Sequence, residues 1–180
     1  PWGFLHLRMP TYTMTADTPP WELYSYEALI GLMAGNADAV RFLLDIAKWS
    51  HVYDDLIDGD KAVEDVAIHD TFWTLLVSMP TNPFFRMHQD AIRPVLVTAI
   101  LNWRAANDME KSQCEEELRV AHVLRYALAD LALLCMVLTG GHEHAAKNAK
   151  KAALLGRGDT WQHYASEHKH KKGADDADSK

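Results

Sequence analysis

An all-α fold, a single-domain bundle of about six helices, is the architecture this sequence predicts. Three observations lead there: apolar residues recur at helical spacing, no stretch alternates as a strand does, and caps and glycines mark ends at helix-like intervals. No internal repeat is visible. Residues 1–20 are rich in Thr and Pro and read as an irregular arm. The helical domain spans 21–155. Its first helix covers Trp21–Met33 and stops near Gly35-Asn36. The second and best defined covers Ala37–Asp58, stopped by Gly59, and Ala62–Met79 is a third, closed by Pro80. After a turn at Thr81-Asn-Pro83, a short helix Phe84–Ala91 is interrupted at Pro94. A fifth runs over Pro94–Met109, its Pro in the tolerated first turn. Ser112-Gln-Cys-Glu115 has the form of a capping box, so a new helix runs from there to Thr139, ended by Gly140-Gly141. His142–Leu155 follows. From Gly156 the chain is polar, rich in His, Lys and Asp, and is expected to be a disordered tail over 156–180.

Composition removes several function classes. The 180 residues fit one domain, and 48% apolar residues can fill a core. The net charge of −7, with no basic block before the tail, argues against nucleic acid as the main partner. Cys114 and Cys135 lie far apart with no metal-ligand spacing, so a reducing cytoplasm is the expected location. The apolar run Tyr126–Leu138 contains Asp130 and is too short to span a bilayer. The start lacks the layout of a signal peptide. The missing initiator Met suggests a trimmed chain or a fragment, so a targeting segment could have been lost. Composition leaves a homodimer open.

Chemistry is suggested at one place, Asp54-Asp55-Leu56-Ile57-Asp58. On a helix Asp54 and Asp58 are four apart, and Asp55 and Asp58 three apart, so their side chains are neighbours and repel. A hard divalent cation on oxygen ligands would offset that repulsion. On a helical wheel Phe42, Ile46, Trp49, Tyr53 and Leu56 form one apolar stripe, and Val40, Leu43, Leu44 and Ala47 the next. Arg41, Asp45 and Lys48 form the wet face. The second stripe continues as His51, Asp54 and Asp58, so the acids are expected to point inward or into a cleft. Buried carboxylates are costly unless paired or metal-bound. A plainer alternative is a helix end with local Asx hydrogen bonds at Asp58-Gly59-Asp60.

Asp-Asp-x-x-Asp on a helix resembles the first metal motif of class I isoprenoid synthases, the prenyltransferases and terpene cyclases. The resemblance covers about ten residues around 50–61. It implies an all-α fold, Mg2+ held by Asp54 and Asp58 with Asp55 as ligand or support, and a diphosphate substrate. His51 and Arg125 would assist, the Arg by gripping phosphate bidentately. The family's second acidic motif has its nearest match in Asn107 and Glu115, but Lys111 stands where Ser or Thr is expected. The chain is shorter than a full synthase, so a reduced or divergent relative is what the resemblance allows.

The leading expectation is therefore a small all-α protein with a Mg2+-dependent site for a phosphorylated or diphosphate ligand. If catalytic, the cation would act as Lewis acid in departure or hydrolysis of the diphosphate. A second reading is a non-catalytic helical protein, of the accessory or phage-like kind, whose acids pair internally with Arg86, Arg93, Arg104, Arg119 or Arg125. A third takes His51, His69-Asp70 and Asp130 as ligands of an HD-type phosphohydrolase. The space beside Asp54 separates them: facing oxygen ligands across a cavity, a basic side chain and no cavity, or converging His and Asp. His142-x-His144 supplies too few ligands for zinc.

Overall fold

The computed structural model describes residues 25–59, 61–112, 114–155 and 160–170. It is all-α, with no strand among the described residues. Helix α1 (Tyr26–Leu32) is capped by Ser25, whose hydroxyl accepts from the Ala28 N–H at 3.1 Å. Residues 21–24 of the expected first helix lie outside the described residues, as does the arm. Helix α2 (Ala37–Asp58) has the expected bounds. Asn36 caps it, accepting from Ala39 N at 2.9 Å, and Gly59 closes it with φ 65°, where glycine carries no steric penalty.

The third helix differs from expectation. Helix α3 (Asp65–Trp73) passes through a π-helical segment (Thr74–Ser78) into the short α4 (Met79–Thr81). Pro80 does not close the run; it sits in the first turn of α4, where its missing N–H is harmless. Asn82 is the end, in extended conformation. Its side chain accepts from Phe85 N at 3.1 Å and donates to the Asp38 carbonyl at 3.0 Å, tying the start of the next helix to α2.

Helix α5 (Pro83–Ser112) is one continuous helix of 30 residues, not two. Pro94 lies inside it on an exposed face. There water can take the carbonyl that proline leaves unpaired, so the helix survives. The capping box is also corrected. The Ser112 hydroxyl donates to Met109 O at 2.8 Å and accepts from Cys114 N at 3.3 Å, so it finishes α5. Cys114 occupies the cap position of α6 (Glu115–Leu124) without a side-chain cap.

A turn at Arg125–Ala127 separates α6 from α7 (Leu128–Ala153), so the expected single helix to Thr139 is two. The expected stop at Gly140-Gly141 is present as a break within α7, with Gly141 at φ 77°. The tail carries a further helix, α8 (Trp161–His170), where disorder was expected.

Two apolar clusters result. The larger joins α1, α2, α5 and α7 around Leu29, Phe42, Ile92, Leu131 and Met136. The smaller joins α5, α6 and α8 around Ala106, Leu118, Ala121 and Tyr164. Helices α5 and α6 fold back on each other as a hairpin, and α8 lies on α6. The stretch Glu115–Ala153 is long and apolar enough to cross a bilayer by length and composition. In this fold Leu131, Ala132, Cys135 and Met136 from that stretch are buried in the larger cluster. Burial pushes the Cys135 thiol up to about 12, whereas Cys114 is exposed.

Candidate functional site: an arginine between two carboxylates

Helix α2 delivers the acidic motif as the wheel requires, but its acids do not share one environment. Asp54 is half-buried, Asp55 intermediate and Asp58 exposed at the end of the helix. The inward placement thus holds for Asp54 and fails for Asp58, because the bundle does not extend over the last turn of α2. Leu56 and Ile57 are exposed there too.

Arg125 fills the space beside Asp54. Its guanidinium donates to Asp54 Oδ1 at 2.9 Å. On its other side it grips Glu110 with both the Nε and the Nη2 hydrogens, the Nε contact being 2.7 Å. The α6–α7 turn places Arg125, and the α5–α6 hairpin swings it onto Glu110 near the end of α5. Trp103 lies 5.3 Å from the guanidinium carbon and adds a cation–π contact. Glu110 is the best satisfied acid of the site: the Tyr164 hydroxyl donates to it, and His168 Nε2 stands 3.8 Å from it.

The electrostatics follow from these contacts. Burial pushes the Asp54 carboxyl up; Arg125 offsets part of that, while Asp58 and Asp55 add repulsion, and the net position is above the usual value. Burial also acts against Glu110, but the hydrogen bonds from Arg125 and Tyr164, with the Arg125 charge, outweigh it and hold its carboxyl below the usual range. Arg125 is held further toward its charged form by Glu110 and Asp54, against its own burial. Tyr164 is pushed up by burial and by Glu110, so its hydroxyl keeps its proton and stays a donor.

The other expected residues are dispersed. His51 sits partly buried one turn before Asp55; burial lowers its proton affinity, with Asp55 acting the other way. Asn107 lies within α5, its amide oxygen buried without a hydrogen-bond partner among the described residues. Glu115 opens α6 and pairs with Arg119 at 2.8 Å in solvent. The break between α5 and α6 separates these two. Asp70 pairs with Lys48 at 3.6 Å, and Asp130 lines a shallow groove of about 240 Å3 with Pro94, Val95, Thr98, Ala99, Asn102 and Ala127. Among the described residues no group of three or more His, Cys, Asp or Glu stands in a metal-holding arrangement. At Asp54 the Oδ1 oxygen is already shared with the Arg125 guanidinium.

Glu110, Tyr164 and Trp103 are the members that sequence reasoning missed. Glu110 lay inside the stretch inspected for a second motif, but only the α5–α6 hairpin brings it to Arg125. Tyr164 lay in the segment read as tail. No known family model, no curated protein and no solved structure matches this chain.

Proposed function

We propose that this chain is a non-catalytic helical accessory protein whose acidic motif serves as one side of an internal ion-pair junction. The observation that carries the reading is Arg125 lodged between Asp54 and Glu110. The junction ties three elements together: α2 through Asp54, α5 through Glu110, and the α6–α7 turn through Arg125. A partly buried ion pair adds little net stability, and in some proteins such a junction fixes one arrangement of helices. A partner-binding role is supported by α3 and the π-helical segment after it. There Phe72, Trp73 and Leu76 are 59%, 64% and 71% exposed and fall on one arc. Large exposed apolar groups in one place mark contact surfaces.

A second reading, Mg2+-assisted diphosphate binding, is favoured by one observation: Asp58 is exposed one helical turn after Asp54, the aspartate that meets Arg125. Thermal unfolding with and without Mg2+ and pyrophosphate separates the two, because a ligand of the native state must raise the midpoint. The accessory reading expects no shift in the wild type. A Mg2+- and pyrophosphate-dependent rise that Asp54→Asn/Asp58→Asn abolishes would replace it with the second reading.

A further inference from the structure

Helix α8 packs on α6 through Trp161 and Tyr164 and also reaches one buried carboxylate, Glu110, on α5. The side chain of Glu110 is only 9% exposed, and two of its contacts, Tyr164 and His168, come from α8. These two are one helical turn apart, with ring centroids 4.5 Å apart, so they approach Glu110 together. The side chain of His168 is 15% exposed, and its Nε2 is 3.8 Å from Glu110 Oε1.

We propose that α8 is a pH-sensitive latch, in which a proton on His168 tightens its seat on the α5–α6 hairpin through Glu110. The charge count around the contact supports this. Helix α5 contributes Glu110, the α6–α7 turn contributes Arg125, and α2 contributes Asp54, with Asp58 acting on Arg125 from farther off. Helix α6 contributes His122 and Arg119, which meet the Tyr164 and Trp161 rings. On α8 itself, His163 and Glu167 pair at 3.7 Å in solvent, within the helix. With His168 neutral, Asp54, Glu110 and Arg125 carry one surplus negative charge. With His168 protonated the four groups balance. Surplus charge in a partly buried setting is poorly screened, so the balanced state is preferred.

The sign follows from linkage. A proton on His168 is worth more with Glu110 beside it than with α8 released, so protonation favours docking. Histidine changes charge near pH 6.5 in ordinary surroundings. Docking thus strengthens on moving from mildly alkaline to mildly acidic conditions. It does so only while Glu110 stays ionised, and the hydrogen bonds that hold its carboxyl below the usual range secure that. Release of α8 would uncover Leu118, Ala121 and Ala106, which are fully buried when it is seated. The latch therefore controls an apolar surface.

The test is hydrogen exchange of the α8 amides in the full chain, corrected for intrinsic rates, at about pH 6 and about pH 7.5, on either side of the ordinary histidine value. Wild type should show protection about threefold higher at the lower pH, the size expected of a modest ion pair. His168→Gln should abolish the difference, and His163→Gln should keep it. Equal protection at both pH values in wild type, or an unchanged slope in His168→Gln, would overturn the latch. So would loss of the slope in both variants, which would assign the effect to pairing within the helix. An absence of protection at either pH would overturn the docking itself.

Discussion

Glu110 receives hydrogen bonds from two of the three Arg125 guanidinium nitrogens and from the Tyr164 hydroxyl, while Asp54 receives one from the third and stands beside two further carboxylates. The two acids therefore differ in what they contribute. The carboxyl of Glu110 lies below its usual value, so its charge adds stability at neutral pH; that of Asp54 lies above, so its charge is a strain the fold tolerates. Removing one partner of a well-bonded buried pair costs about 3–5 kcal/mol. Glu110→Gln is expected in that range by chemical denaturation. Asp54→Asn, which relieves repulsion from Asp55 and Asp58 while weakening one arm, is expected to stay within about 1 kcal/mol. Equal losses from the two substitutions would show that the guanidinium serves both acids alike.

Helix α7 depends on its two adjacent glycines for different reasons. Gly141 takes a left-handed backbone at φ 77°, which breaks the helix. Gly140 makes room: a Cβ there would fall 2.5 Å from His144 Cδ2. His144 needs that room, because its Nε2 meets the Leu32 carbonyl at 2.7 Å and so joins the second half of α7 to the end of α1. Gly140→Ala is expected to cost about 1–3 kcal/mol through overpacking, read as a lower Tm. A neutral result would show that His144 has another place to go. How legible these elements were in the sequence follows from the range of the forces involved. Helix α2, with Asn36 before it and Gly59 after, was readable to the residue because its signals are local. The glycine break in α7 was readable for the same reason. Pro94 and Ser112 misled because local rules allow two outcomes at each. Tertiary packing kept α5 whole through Pro94, and the turn to α6 gave Ser112 to the helix it ends. Of the site, Asp54 and Arg125 were each legible as residues needing a partner. The sequence offers Arg125 as one of five arginines that could pair with the acids; that it is the one, and that Glu110 and Tyr164 join it, depends on contacts spanning up to 71 positions in sequence, which periodicity does not encode.

At the scale of the whole molecule, the Arg125 junction lies where the larger apolar cluster of α1, α2, α5 and α7 meets the smaller one of α5, α6 and α8. Acid should act on this boundary. A carboxyl held below its usual value gives stability that is present above the unfolded value, about 4.5 for Glu, and lost as pH falls through the folded value. The stability advantage of wild type over Glu110→Gln should therefore hold from neutral pH to about 5 and shrink below about 4. Comparing the two chains cancels the opposite contribution of Asp45, whose carboxyl burial pushes up; Asp54 stays coupled to Glu110 through the shared Arg125. An advantage independent of pH down to about 3 would mean that packing of the side chain, not its charge, was lost in the variant. The two cysteines have a practical consequence of this layout. One thiol sits in solvent where the α5–α6 hairpin turns; the other is sealed in the larger core and holds its proton far above neutral pH. Only a thiolate attacks an electrophile. A maleimide or iodoacetamide dye offered to the folded chain thus has one address, Cys114, and the native sequence already carries a single-site handle for distance measurements from the tip of that hairpin.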